Sequence, residues 1–362
     1  MLVPDSYVSA LCKEIDYRLP LHGVKEIGTV YVGGGTPSLL TKNQFETLFA
    51  KIKNTGLLKT DAEITVEVNP DDVSSELLKT LEGCGVNRIS CGIQSMNDAA
   101  LKKACRRADA SVNQKALSLF KQEWKGELSL DLISGLPGDD ETSLQKSLDL
   151  ITAVNPSHIS LYSLTIEVNT PFGKQLESGE LAYDFDKADD LWLYGRDYLE
   201  KQGYEWYEVS NFCMPGKACR HNLCYWTHGD YLGIGSGATG TVYGADGQGL
   251  RWTNSNKIEK YIDFWKEFSP SSEATPPQVS ESIDRETSQF EFFMMGLRKL
   301  EGICEEDYAK LFDQPLPESF LEVFSRYEQK GLCEKRTADN RTYYAMSRAG
   351  MLFLNRFLEE LC

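Results

Sequence analysis

Three glycines, Gly33-Gly34-Gly35, followed by Thr36-Pro37, close the apolar segment Thr29-Val30-Tyr31-Val32 and lead into a helical pattern that opens at Thr41, with Gln44 three residues on as a capping box. Without Cβ atoms such a turn can take positive φ and aim several backbone amides one way, a concavity that suits a carboxylate, a phosphate or an amino-acid head group. Strand, glycine turn and helix in that order point to the parallel α/β folds. Taken alone the turn needs no ligand, since glycine-rich strand-to-helix turns recur across such folds. Its neighbours change the odds.

Short β-rich runs at residues 29–32, 63–68, 87–92, 127–133 and 158–162 alternate with amphipathic helical segments of crossover length, one of them closing near Gly83 and Gly85. That βαβα pattern predicts an α/β sheet, open or closed into a barrel, with ligands at the carboxyl ends of its strands. Those ends carry the glycine turn after the first run, Glu67 and Asn69-Pro70 at the second and Gln94 after the third, while Asp131 lies within the fourth. Each of these alone is as well explained as a helix cap or a turn residue; several at matching strand ends favour a ligand site. Glu67 stands between Val66 and Val68, so the period of 2 turns it away from both, toward a lumen or a ligand.

Composition limits what such a site can serve. The chain has 362 residues, 41% hydrophobic and 25% charged, enough for two domains. A net charge of −16 argues against nucleic acid as a partner, and no local basic patch offsets it. No stretch approaches the roughly 20 apolar residues of a membrane span. The start, Met1-Leu2-Val3-Pro4-Asp5, has neither the basic nor the apolar region of a secretory signal, so a cytoplasmic location is expected. Ten cysteines without an export signal read as reduced thiols, and no C-x-x-C pair occurs among them.

A second region of interest is Cys219-Arg220-His221-Asn222-Leu223-Cys224-Tyr225-Trp226, followed by a glycine-rich stretch from Gly229 to Ala238. The chain has only four histidines, and an imidazole beside aromatic rings and a glycine-rich backbone can ligate haem iron while Tyr225 and Trp226 pack on the macrocycle. A histidine hydrogen-bonded within a loop is the plainer reading of the same residues. Cys213, Cys219 and Cys224 are spaced C-x5-C-x4-C, which is not a usual cluster spacing, and read as thiols. Covalent haem attachment has no C-x-x-C-H behind it.

The last third changes character. Prolines and small polar residues from Pro270 to Pro277 read as an exposed linker, assigned to 270–284. Helical patterns at 287–300, 305–312 and 319–330, a β-like segment at 333–346 and a last helix at 349–361 suggest a winged-helix-like module. Acidity, together with the family resemblance given below, favours a protein- or substrate-contacting lid over a nucleic-acid reader. Phe290, Phe292, Phe293, Met294 and Met295 read as packing residues.

The strings VYVGGGTPSLL, ITVEVNP, GVNRISCGIQS, DLISGLPG and HISLYSLTIEVNTPF resemble the radical S-adenosylmethionine (SAM) proteins of the coproporphyrinogen dehydrogenase group, and the resemblance runs from about Tyr7 to the C-terminus. It implies a partial (β/α) barrel lacking its first strand, spanning 1–185. An extension over 186–269 would follow, then the linker, then the C-terminal helical winged-helix-like domain at 285–362. It further implies SAM across the barrel mouth, with Gly34, Gly35, Thr36 and Glu67 on the methionine amino group, Arg106 on its carboxylate, and Gln94 and Asp131 on the ribose. Family members often read G-R-x-H where this chain has Cys105-Arg106-Arg107-Ala108, which leaves Arg107 as a second candidate for the arginine role. The motif His-Asn-x-x-Tyr-Trp, here His221, Asn222, Tyr225 and Trp226, marks the haem-binding branch of the group, with His221 a candidate iron ligand. Relatives there commonly have a histidine where this chain has Thr239.

The family's [4Fe-4S] cluster uses C-x3-C-x2-C, which this sequence does not contain, so its ligands here are none. By resemblance the motif would lie ahead of Met1. An internal start site is the favoured explanation over real loss, because every residue assigned to the sulfonium cofactor is present. Three functions remain open. One is a haem chaperone that binds haem and delivers it to an acceptor protein, without nucleic acid and with membrane contact only through that acceptor. The others are an oxygen-independent coproporphyrinogen III dehydrogenase of porphyrin biosynthesis and a clusterless haem or nucleotide binder. The intact His221 motif favours the chaperone over the enzyme.

Overall fold

A computed structural model describes residues 3–361 except 169, 181 and 270–273. In chain order the elements are α1 (Asp5–Leu21), β1 (Ile27–Val32), α2 (Lys42–Asn54), β2 (Leu58–Val68), α3 (Ser75–Cys84), β3 (Arg88–Gln94), α4 (Asp98–Lys103), α5 (Ala110–Glu123), β4 (Glu127–Ser134), α6 (Glu141–Thr152) and β5 (His158–Ser163). There follow α7 (Pro171–Glu177), α8 (Phe185–Lys201), β6 (Glu205–Glu208), β7 (Asn211–Cys213), α9 (Arg220–Trp226), β8 (Thr239–Tyr243), β9 (Gly249–Asn254), α10 (Ile258–Glu267) and β10 (Gln278–Ile283). The C-terminal part contributes α11 (Arg285–Gly296), β11 (Ile303–Cys304), α12 (Glu305–Phe312), α13 (Glu318–Glu328), β12 (Cys333–Ala338), β13 (Arg341–Met346) and α14 (Leu354–Glu359).

The chain forms two compact units. One comprises Thr29–Lys42 and Glu63–Cys219. It is built on a seven-stranded sheet of order β1-β2-β3-β4-β5-β7-β6, in which β2 through β5 run parallel, β7 pairs antiparallel with β5, and β6 pairs antiparallel with β7. Helices between parallel strands are what a crossover requires. Ile89, Cys91, Leu130, Leu132, Ile159 and Leu161 are buried on the strands, while Ser90, Ser129, Asp131 and Ser160 alternate with them and so share the opposite face. On the apolar face α8 packs against β4 and β5 so closely that a Cβ at Gly195 would lie 2.6 Å from Leu161. The helices start where the sequence provides acceptors: Ser74, Asp109 and Asp184 cap α3, α5 and α8, and Asp140 with Ser143 forms a capping box on α6. This is the expected partial-barrel sheet, and it carries on past residue 185 through β6 and β7.

The other unit draws on the described parts of Met1–Gly28, Asn43–Ala62 and Arg220–Cys362. Its antiparallel sheet has the order β10-β9-β8. Helices α1 and α10 pack through Ala10, Tyr261 and Trp265, ringed by Tyr7, Tyr17 and Phe268. Beside them Glu14 is fully buried and accepts four hydrogen bonds: from Arg18 Nε (3.1 Å) and Asn254 (2.8 Å) on one oxygen, and from Gly235 N (2.8 Å) and the Tyr261 hydroxyl (2.7 Å) on the other. The C-terminal portion has a core of stacked rings, Phe293 with Phe320 at 4.5 Å between centroids, under a sheet of order β11-β13-β12. Asp339 and Asn340, both at positive φ, make the two-residue turn between β12 and β13, as a tight hairpin of matching twist demands. Helices followed by this hairpin are the winged-helix-like arrangement anticipated. The expected linker at 270–284 differs: 270–273 lie outside the described residues, and Gln278–Ile283 pairs along its whole length with β9. Its residues are mostly polar and exposed, with Ile283 alone buried, so no period of 2 marks it as a strand.

Candidate functional site

Gly33 to Pro37 follow β1 directly, and Gly34 takes φ +82, a conformation that a side chain disfavours. Its N–H donates to Glu67 Oε2 at 3.1 Å, and the Tyr31 hydroxyl donates to Glu67 Oε1 at 2.8 Å. A Cβ at Gly33 would meet Tyr31 at 2.6 Å and the Glu67 carboxyl at 2.8 Å, so only glycine lets the turn close over that carboxylate. Glu67 sits between the buried Val66 and Val68 and faces away from them, as the period of 2 requires.

These groups open onto a cavity of about 250 Å³ that Gly35, Thr36, Glu67, Gln94, Arg106 and Asp131 help to line. Asn69, Ser90 and Gly92 complete its polar wall. Arg106 reaches it by donating to the Gly92 carbonyl at 3.2 Å and lying 3.5 Å from the Asn69 side-chain oxygen. A Cβ at Gly92 would stand 2.6 Å from Gln94 Nε2 and 3.3 Å from Arg106 Nη2, so the glycine makes a cradle for both side chains. Gln94 itself is held at φ +67 beside a register shift between β3 and β4, a backbone strain of the kind that recurs at ligand clamps. Arg107, the other candidate, is engaged elsewhere, 3.1 Å from Asp71 and 3.2 Å from Asp72.

Asp131 accepts from Ser90 at 2.9 Å and from Ser129 at 3.3 Å. Burial pushes its carboxyl up to about 6; these hydroxyls and Ser160 hold it down, and the Glu67 charge raises it. Behind Asp131 runs a buried polar chain that sequence reading missed. Ser129 Oγ lies 2.8 Å from His158 Nδ1, His158 Nε2 lies 2.8 Å from the Tyr207 hydroxyl, and that hydroxyl accepts from the Cys219 amide at 3.3 Å. Burial, with Arg88 nearby, lowers His158 to about 3, so the ring is neutral. The serine row at alternate strand positions was the available signal for this network.

The second candidate region is folded as α9. His221 and Tyr225 are one turn apart, with His221 Nε2 2.9 Å from the Tyr225 hydroxyl, and Tyr225 meets the edge of Tyr231 at 4.7 Å between centroids. All four motif residues, Asn222 included, are half-buried. Just after α9, His228 stacks on Tyr243 at 3.8 Å between centroids and lies 3.1 Å from the hydroxyl of Ser288 on α11. Glu291, on the same helix, accepts from Tyr243 at 2.9 Å and from Arg251 at 2.8 Å. Helix α11 is thereby fastened to the motif segment, and Arg298 just beyond its end lies over the Trp226 ring, 5.6 Å from the centroid. Thr239 sits on β8 with its hydroxyl 2.8 Å from that of Thr253.

Heme chaperone HemW of Escherichia coli (strain K12) is 33% identical to this chain over 369 residues, covering 98% of this chain and 89% of that protein. Heme chaperone HemW of Lactococcus lactis (strain IL1403) is 34% identical over 358 residues, with the same shares covered. The chain belongs to the HemW family. Residues 8–151 match the Radical SAM superfamily model, and 283–353 match the HemN C-terminal domain. The fold is that of the radical SAM enzyme coproporphyrinogen III oxidase (HemN) from Escherichia coli, with a TM-score of 0.79 at 19% identity over 99% of this chain and 82% of that one.

Membership in the HemW family raises the question of which groups the residues suit. The glycine cradle, one guanidinium and two carboxylates around a cavity match the chemistry of SAM, which carries an ammonium, a carboxylate and ribose hydroxyls. An iron–sulfur cluster is a different matter. Among the described residues no three Cys, His, Asp or Glu side chains converge as a metal seat, so these residues do not form a cluster site. The nine described cysteines are thiols outside any disulfide; the Cys219 thiol donates to Glu63 at 3.4 Å, and burial pushes Cys213 up to about 11. No described helix is long and apolar enough to cross a membrane.

Proposed function

We propose that this chain is a haem chaperone: it binds haem through the His221, Asn222, Tyr225 and Trp226 segment and passes it to an acceptor protein. The observation that carries the reading is the intact motif on α9, in a chain about one-third identical along nearly its whole length to proteins named for that activity. Tyr225 and Trp226 offer ring faces for a macrocycle, and His221 offers an imidazole for iron. The dehydrogenase reading has only the shared fold on its side.

In the barrel cavity the same reading places SAM, with Gly34, Gly35, Thr36 and Glu67 toward its ammonium group, Arg106 toward its carboxylate, and Gln94 and Asp131 toward its ribose. The bound nucleoside supplies a sulfonium charge, which the carboxylates of Glu67 and Asp131 balance. Arg106 is suited to bidentate recognition, and Asp131 in its ionised form accepts from two hydroxyls. The reading further takes the compartment as reducing and cytoplasmic, with membrane contact only through the acceptor.

Haemin titration tests it. The wild-type chain is expected to give a saturable Soret shift at one haem per chain, lost or weakened at least tenfold in His221→Ala. Absence of a stoichiometric shift in the wild type sinks the chaperone reading.

A further inference from the structure

Two buried donors beside the motif have no acceptor. Trp226 Nε1 and Arg298 Nε are both shielded from solvent and make no hydrogen bond. They belong to side chains in contact, since the Arg298 guanidinium carbon stands 5.6 Å from the centre of the Trp226 ring. Buried N–H groups in native proteins are almost always paired, so two orphans side by side point to an acceptor that the chain does not itself supply.

The local charges agree. No carboxylate among the described residues pairs with Arg298, although the chain carries a net charge of −16. Its nearby acid, Glu301, faces Lys299 at 3.5 Å. A cation after the last turn of α11 suits that helix end, and the indole face gains from the guanidinium, but neither contact satisfies the two N–H groups. An incoming carboxylate would satisfy both, through a charge-assisted bond from the arginine and a neutral one from the indole. The indole also belongs to the segment to which a macrocycle with two propionate arms has been assigned.

We propose that Arg298 and the Trp226 indole N–H together form a seat for a haem propionate, so that the porphyrin is recognised by its carboxylate rim as well as by its iron and ring faces. The inference rests on the haem reading above. It goes beyond that reading by assigning a residue outside the motif and a discrimination between porphyrins with free and blocked acids.

The test compares haemin with haemin dimethyl ester, titrated into the full chain under one solvent condition. Wild type is expected to prefer haemin by about tenfold or more, the scale of a hydrogen bond to a charged group. In R298M that ratio should fall to within about threefold of unity, in W226F it should fall part of the way, and R298K should keep most of it. Circular dichroism identifies any variant that fails to fold, and the remaining variants then decide. Equal binding of the two ligands by wild type, or an undiminished ratio in folded R298M, overturns the seat while leaving the haem reading standing. Binding of neither ligand by wild type removes that reading and the seat together.

Discussion

The hydroxyl of Tyr225 lies 2.9 Å from Nε2 of His221, one turn away on the same face of α9. One nitrogen of the imidazole proposed for iron is therefore already hydrogen-bonded, and haem ligated through Nε2 would have to compete with that bond. Tyr225→Phe keeps the ring for packing and removes the competitor. Its haemin affinity is expected to rise roughly two- to tenfold, the net worth of a typical hydrogen bond. A fall in affinity on Soret titration would show that the hydroxyl helps to hold haem and that His221 does not ligate through Nε2.

Asp131 gives a pH prediction. Its carboxyl is raised to about 6 by burial, and only the ionised form can accept from both ribose hydroxyls. SAM affinity should be level above about pH 7 and decline as pH falls through 6. Asp131→Asn should bind weakly without that inflection, and Glu67→Gln, which removes a charge that raises Asp131, should shift it downward. Calorimetry from pH 5 to 8 reads the three curves; a flat wild-type profile contradicts the assignment.

Arg106 and Arg107 are adjacent in sequence and differ in surroundings. Arg106 lines the cavity, whereas the Arg107 side chain is 54% exposed and pairs with Asp71 and Asp72 at the surface. Arg106→Met should weaken SAM at least tenfold through loss of a charge-assisted pair. Arg107→Met should leave affinity within about twofold and cost less than ~1 kcal/mol in stability, as exposed pairs do. The reverse ranking would transfer the carboxylate role to Arg107.

Glu14 predicts a stability effect. Truncation to Ala strips an acceptor from Arg18, Asn254, Gly235 and Tyr261 at once and leaves a guanidinium buried without its carboxylate. Breaking such a pair costs about 3–5 kcal/mol. Urea denaturation measures it, and a loss below about 1 kcal/mol would mean that water takes the place of the carboxylate.

Much of the barrel sheet is legible in the sequence because its determinants are local. Strands such as 127–133 alternate apolar and polar residues, and their ends bear Glu67, Gln94 and Asp131, which the parallel topology then gathers around one cavity. Partners set by distant packing are not legible. Nothing in the local sequence of His158 announces Tyr207, and nothing near Arg298 announces Trp226. Strand β10 was hidden for a related reason, since its pairing with β9 is decided across α10 and its own residues are mostly polar. The compact units are likewise assembled from segments far apart in the chain, which composition along the sequence cannot disclose.

The four bonds to Glu14 bear on how the chain is made. Gly235 lies 221 residues downstream of Glu14, and at 5–20 residues per second a ribosome needs roughly 10 to 45 s to deliver it. For that interval Glu14 has Arg18 on its own helix but lacks the three donors that Gly235, Asn254 and Tyr261 later supply. The glycine-rich stretch behind α9 can therefore dock on α1 only after residue 235 has been made, well into translation.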